Sequence, residues 1–201
     1  MPNESEVKRL STPDLLAEVV GPHSATVLIE EAGPSLLALL RADALPGRLR
    51  RARRAARRLM AARELVLRAA EEELQATDVL TSPTVVRDYL KTRLCGLDRE
   101  AFMVVFLTMQ NRVIAAEELF HGSLGETSVY PRIVVMRALY HNCGSVIFAH
   151  NHPSGVAEPS AADRWLTQTL KKALGLVDIR VLDHFVVGGG MAMSFAEAGL
   201  L

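Results

Sequence analysis

The sequence is short of cysteine, of net charge and of long apolar runs, and each shortage excludes something. Two cysteines, Cys95 and Cys143, in 201 residues make no disulfide framework, so a reducing compartment is expected. Both lie in apolar stretches and read as buried thiols rather than reactive ones. With 23 Lys+Arg against 23 Asp+Glu, the chain is neither a uniformly basic nucleic-acid binder nor an acidic-tail protein. No apolar run approaches the ~20 residues of a membrane helix. The opening MPNESEVKRLS holds no hydrophobic signal core. A cytoplasmic protein with no membrane partner is expected. There is no internal repeat and no low-complexity tract. What is present is globular in character: 49% hydrophobic and 23% charged residues exclude wholesale disorder.

The zero total conceals a local block. Cutting after Asp78 leaves 12 basic and 12 acidic residues on one side and 11 of each on the other, yet residues 48–58 hold seven arginines and no acid. Two regions are expected, 1–78 and 79–201. In the first, Ser11-Thr-Pro-Asp14 offers a helix cap with proline in the first turn. Gly21-Pro22, Gly33-Pro34 and Pro46-Gly47 then punctuate the chain. Short helices fit near 13–20, 23–32 and 34–42. Leu49, Ala52, Ala56, Leu59, Ala62 and Val66 recur at spacings of three and four, which predicts one helix over about 47–74 with arginines on its other faces.

After a linker at 77–82 the pattern changes. Pro83 opens a predicted helix. The apolar run 101–107 reads as a buried strand, with a turn at Gln110-Asn111 and a second hairpin strand over 112–120. A helix over 131–142, a strand over 145–150, a helix over 160–174 ended by Gly175, and strands over 178–187 and 191–195 complete the region. Strands and helices mix without a regular βαβ repeat, so the fold class is α/β of mixed α+β type.

The stretch that carries chemistry is His150-Asn-His152-Pro-Ser154-Gly155, followed by Pro159-Ser160-Ala-Ala-Asp163. Histidines at i and i+2 on an extended chain point to one side. Pro153 and Gly155 force the chain out of the strand and leave both rings at its mouth. A carboxylate in the first turn of the next helix can reach back as a third ligand. Two nitrogens and one oxygen leave a tetrahedral zinc with a place for water, the pattern of catalytic rather than structural zinc. With so little cysteine, any zinc site here must be built from histidine and carboxylate. Other readings of the pieces stay open: two surface histidines, and a helix capping box made by Ser160 and Asp163. The combined pattern is much more restrictive than either piece.

These residues resemble the JAMM (MPN-plus) metalloproteases, which have an upstream Glu, then His-x-His-Pro, then Ser-x-x-Asp. More closely the chain resembles the RadC family, through residues 99–107, Arg112-Val-Ile114, Leu119-Phe-His-Gly122, Pro131-Arg132, Ala149-His-Asn-His-Pro-Ser-Gly155, Pro159-Ser160, Asp163, residues 180–184 and residues 194–199. The resemblance covers about 80–201. It implies a JAMM/MPN-like mixed β-sheet flanked by helices, preceded by a small helical region. It implies one zinc per chain on His150, His152 and Asp163, with Ser160 steadying a tetrahedral intermediate and Glu100 as general acid/base. The implied reaction is zinc-assisted hydrolysis of a peptide or isopeptide bond in a peptide or protein substrate. Taken by itself, Glu100 could be an ordinary surface carboxylate, and Glu117 and Glu118 on the neighbouring strand are rivals. His184 could approach the metal, but reads better as a satisfied core or edge histidine. Asn151 and Ser154 are expected to shape the turn and line the site. His23, His121, His141 and Cys143 carry no ligand spacing.

Arg50, Arg51, Arg54 and Arg58 are candidate DNA contacts, since a basic helix face neutralises phosphates; a solvated helix is the plainer reading. RadC proteins generally carry an N-terminal helix-hairpin-helix-like segment with a Gly-x-Gly turn. Here the corresponding place reads Leu45-Pro46-Gly47-Arg48, with one glycine. The alternative function is a non-enzymatic DNA-repair accessory protein with a structural zinc. Nothing in the sequence specifies an oligomeric state.

Overall fold

A computed structural model describes residues 4–32, 53–76, 79, 82–122 and 129–201. The chain divides into two compact units, 1–68 and 69–201. The break expected at 78/79 therefore falls earlier, inside a helix, because Ala70 and Leu74 pack into the core of the second unit.

The first unit contains α1 (Glu4–Val7), α2 (Thr12–Val20), α3 (Pro22–Ala32) and the start of α4 (Arg53–Ala76). Ser11 caps α2, its Oγ accepting the Asp14 N–H at 3.3 Å. Gly21 ends it at φ +90, a conformation that favours glycine. Leu16, Val20, Ala25, Leu28, Ala55, Ala56 and Leu59 form its core. Arg53, Arg54, Arg57 and Arg58 are exposed. The helix expected at 34–42, the first turns of the arginine helix with Arg50 and Arg51, and the turn at Pro46-Gly47 lie outside the described residues. So does most of the 77–82 linker.

The second unit is built on one sheet. Its elements are α5 (Pro83–Leu94), β1 (Ala101–Leu107), β2 (Val113–His121), α6 (Pro131–Tyr140), β3 (Ser145–Asn151), α7 (Ala161–Gly175), β4 (Arg180–Gly188) and β5 (Met191–Ser194). The strand order is β2-β1-β3-β4-β5. Only β3 and β4 run parallel; the other neighbours are antiparallel. The connection between the parallel pair is α7, as a parallel pair requires a crossover.

Every residue of β1 and β3 is buried. Both strands read as continuous rather than alternating apolar runs because both faces of the sheet are covered. One face carries Met103, Val105, Ile147, Ala149 and Phe185 against Val86, Tyr89, Leu90 and Leu94 of α5. The other carries Phe102, Val104, Phe106, Val146 and Phe148 against Val134 and Ala138 of α6 and Leu170 and Leu174 of α7. Cys143 is buried, and burial pushes its thiol up, away from reactivity. Cys95, expected to be buried, is half-buried at the end of α5. Helix α7 ends at Gly175, as expected. The left-handed residue that follows is Asp178, at φ +60. Among the described residues no helix is long and apolar enough to cross a membrane.

The β4–β5 turn presses on the loop after β3. A Cβ on Gly188 would lie 2.7 Å from the Val156 carbonyl carbon and 2.8 Å from the Ala157 nitrogen. These are backbone atoms with no side-chain freedom to yield. Gly188→Ala is predicted to destabilise the protein by about 1–3 kcal/mol, measured as a lowered denaturation midpoint. An unchanged midpoint would mean that the loop does not hold its place against β4.

Candidate metal centre

The end of β3 sets the geometry of the site. Successive residues of a strand face opposite ways, so Phe148, His150 and His152 share the α7 side, while Ile147, Ala149 and Asn151 share the α5 side. The strand path continues one residue past β3, since the His152 N–H donates to the Val187 carbonyl at 2.8 Å. Gly155, at φ +84, then turns the chain, and its N–H donates back to the His152 carbonyl at 3.0 Å.

Three donors converge at this mouth. The two Nε2 atoms of His150 and His152 stand 3.0 Å apart. Asp163 Oδ1 is 3.2 Å from His150 Nε2, and Oδ2 is 3.4 Å from His152 Nε2. Ligand atoms of the three side chains all lie within 4.8 Å of one another. His150 is buried, whereas His152 and Asp163 are half-buried. The donor set suits a zinc ion, being imidazole nitrogen and carboxylate oxygen. Both imidazoles present Nε2 to the site because each Nδ1 is engaged elsewhere: His152 Nδ1 donates to the Val156 carbonyl at 2.8 Å, and His150 Nδ1 lies 2.9 Å from His184 Nε2.

Asp163 serves the helix as well as the site. Ser160 is the N-cap of α7, and its Oγ accepts the Asp163 N–H at 3.1 Å. In return Asp163 Oδ2 accepts the Ser160 N–H at 2.7 Å and the Ser160 hydroxyl at 2.6 Å. The capping box and the candidate ligand are thus the same residue. Burial pushes the Asp163 carboxyl up, but hydrogen bonding to His150 and His152 and the bond from Ser160 outweigh it and hold the group ionised, well below the usual carboxylate range. The hydrogen bond with Asp163 raises the proton affinity of His152 against the opposing effect of burial; the Val156 carbonyl and, more weakly, the charges of Asp163 and Glu100 add to the rise.

Glu100 is half-buried and immediately precedes β1. Phe102 lies opposite His150 in the sheet, so Glu100 belongs to the same sheet end as the histidines. The backbone on either side of it is gripped by Asn151, whose Oδ1 accepts the Ala101 N–H at 2.8 Å and whose Nδ2 donates to the Arg99 carbonyl at 2.9 Å. The Glu100 carbonyl itself accepts the Gly122 N–H at 2.8 Å. Its rivals are committed elsewhere. Glu117 accepts a bond from Arg137 Nε at 2.7 Å and pairs with His141 at 2.8 Å, and the Arg137 bonds hold its carboxyl low against burial. Glu118 pairs with His121 at 2.6 Å.

His184, fully buried, does not join the three donors; it stands behind His150. Its role and that of Thr167, 2.6 Å from its Nδ1, had no signal in sequence spacing. Asn151 did have one: a polar residue of the unexpected parity at the end of an apolar strand. Ser154 is exposed, its Oγ accepting the Val156 N–H at 3.4 Å.

A five-stranded mixed sheet, with a His-x-His strand end facing an acidic helix start, is a JAB-type domain with a compatible metal site. The family described as RadC-like JAB domain matches residues 80–200, and the chain belongs to that family. It is 60% identical over 143 residues to a UPF0758 protein of Nitrosospira multiformis, across 71% of this chain and 64% of the relative. A UPF0758 protein of Thiobacillus denitrificans is 59% identical over 143 residues, with the same coverage of 71% and 64%. The chain therefore spans less than two thirds of the length of these two relatives. A UPF0758 protein of Chromobacterium violaceum is 52% identical over 204 residues, across 99% of this chain and 89% of the relative. Similarity to that protein continues through the helical N-terminal unit, where the motifs read from the sequence had run out.

The raised proton affinity of His152 has a sign. A proton competes with a cation for its Nε2, and competes more strongly than on a free imidazole of pKa 6.5. Zinc affinity is predicted to rise with pH from about 6 to about 8, with proton release on binding. Competition against a chromophoric chelator at several pH values measures this, and a flat profile would contradict the arrangement.

Proposed function

We propose that this protein is a zinc-dependent hydrolase of the JAMM metallopeptidase type, cleaving a peptide or isopeptide bond in a protein substrate. The observation that carries the reading is the convergence of His150 Nε2, His152 Nε2 and an Asp163 carboxylate oxygen at a half-exposed strand end. His150, His152 and Asp163 would hold one zinc ion per chain there, which when bound would supply Lewis acidity to acidify water and polarise a carbonyl. Glu100 takes the proton released from the attacking water and hands it to the leaving amine. Its negative charge is felt at His152, and its backbone is held from both sides by Asn151. The Ser160 hydroxyl, which donates to Asp163 Oδ2, turns to donate to the carbonyl oxygen as charge develops there. Histidine–carboxylate ligation with an open side favours catalysis over a purely structural ion.

Protein purified without added metal is predicted to contain about one zinc per chain by elemental analysis, as a three-ligand site with an open position implies. Zinc retained undiminished by the His150→Ala, His152→Ala double variant would remove the ligand assignment. Glu100→Gln is predicted to keep zinc and to lower hydrolysis by about 10²–10⁴-fold. The same variant serves as bait for trapping the substrate. Activity surviving in it would transfer the proton-shuttle role to another group.

A second reading concerns the helical unit and involves a different partner. Arg53, Arg54, Arg57 and Arg58 are exposed on α4 while Ala55, Ala56 and Leu59 pack inward. This basic face, with Arg50 and Arg51 preceding it in sequence, is suited to the phosphates of duplex DNA. Binding is predicted to fall steeply with salt, and Arg→Ala changes at 50, 51, 54 and 58 are predicted to flatten the salt slope. A chain that ignores duplex DNA at low salt would dispose of this reading.

A further inference from the structure

Behind the three donors lies a chain of largely buried hydrogen bonds. His150 Nδ1 is 2.9 Å from His184 Nε2. His184 Nδ1 is 2.6 Å from Thr167 Oγ1. The Thr167 hydroxyl in turn donates to the Asp163 main-chain carbonyl at 2.6 Å. His184 and Thr167 are both fully buried. The His184 ring is enclosed by Phe195, stacked at 4.7 Å, and by Phe102 and Phe148, edge-on at 5.7 and 5.8 Å.

The far end of the chain dictates the direction of every bond in it. A carbonyl oxygen only accepts, so the single Thr167 proton goes to Asp163. Thr167 Oγ1 must then accept from His184, which places a proton on His184 Nδ1. An imidazole sealed among three phenylalanines is neutral, so its Nε2 carries a lone pair and no proton. That lone pair accepts from His150, which places a proton on His150 Nδ1. His150 Nε2, facing Asp163 and His152, is left as the nitrogen that offers a lone pair to a cation once the proton it shares with Asp163 is displaced. The relay begins on the backbone of one donor residue and ends on the ring of another.

We propose that His184 and Thr167 are positioning residues for the metal centre, which together fix the ring orientation and tautomer of His150 so that Nε2 is presented to a cation. This rests on the metal-centre reading given above, and it extends that reading to two residues distant from the ligand motif. Neither residue touches the cation. Outer partners of this kind commonly change metal affinity about 10–100-fold.

Thr167→Val is the cleanest test, because it is isosteric and removes only the hydroxyl. His184→Leu removes both ring nitrogens. His184→Gln keeps one acceptor and one donor on a side chain of similar reach. Zinc affinity is measured for each by chelator competition, alongside chemical denaturation of the zinc-free protein. Long-range ¹H–¹⁵N spectra of the zinc-free wild type report the tautomer of His184. The expected result is a zinc affinity about 10-fold weaker in Thr167→Val and up to about 100-fold weaker in His184→Leu. His184→Gln should recover most of the loss, and His184 should be found as the Nδ1–H form. Wild-type affinity in Thr167→Val and His184→Leu, with zinc bound normally by the wild type, would overturn this inference and leave the proposed function standing. An Nε2–H tautomer at His184 would overturn it independently of metal. Equal losses in His184→Leu and His184→Gln would show that ring packing, not the relay, is what matters. A wild type that binds no zinc would overturn both readings together.

Discussion

The two-residue period of β3 is the constraint on which the site depends. The strand is buried on both faces for its whole length, so each residue at its end must satisfy whichever face it meets. On the α7 side, past Phe148, that produces two imidazoles in succession. On the α5 side, past Ile147 and Ala149, it produces Asn151, whose amide pairs with the backbone flanking Glu100. The tripeptide His150-Asn151-His152 therefore supplies candidate ligands in one direction and the grip on a candidate proton carrier in the other. A shift of one residue in register would exchange the two roles and destroy both. The parallel pairing of β3 with β4 and the antiparallel pairing of β3 with β1 hold that register from both sides.

The neighbours of β3 then complete the arrangement without any long-range adjustment. Pairing with β1 brings Glu100 to the correct end of the sheet. The parallel crossover brings back α7, whose N-terminus delivers Ser160 and Asp163. Pairing with β4 sets His184 opposite Phe148, one ring behind His150. The same β4 ends in Gly188, which lets the Val156 loop lie close enough to accept the His152 Nδ1 proton.

Much of this was legible in the sequence, for stateable reasons. Continuous apolar runs marked β1 and β3, and Pro83 and Pro131 marked helix starts, because those signals are local. The His-x-His and Ser-x-x-Asp spacings were legible because strand parity and helix capping are local too. His184 carries little local signal because its partner lies 34 positions away and only the crossover joins them. Thr167 left no trace, since a threonine facing a helix carbonyl is common. Gly175 marked the end of α7, although the left-handed turn residue, Asp178, comes three positions later. The unit division at Arg68/Ala69 was hidden inside an unbroken helical pattern.

Each of the three candidate donors is held by a partner that is not a cation. His150 has His184, His152 has the Val156 carbonyl, and Asp163 has Ser160. Apolar clusters on both faces of the sheet support the frame. These contacts and clusters belong to the protein itself, which separates this fold from small zinc domains that fold only around their ion. An ion entering such a site need not order the chain around it, so its binding energy stays in the coordination bonds. A cation bound there would be able to leave and return without the fold being lost, its occupancy set by the free metal level rather than by the history of folding.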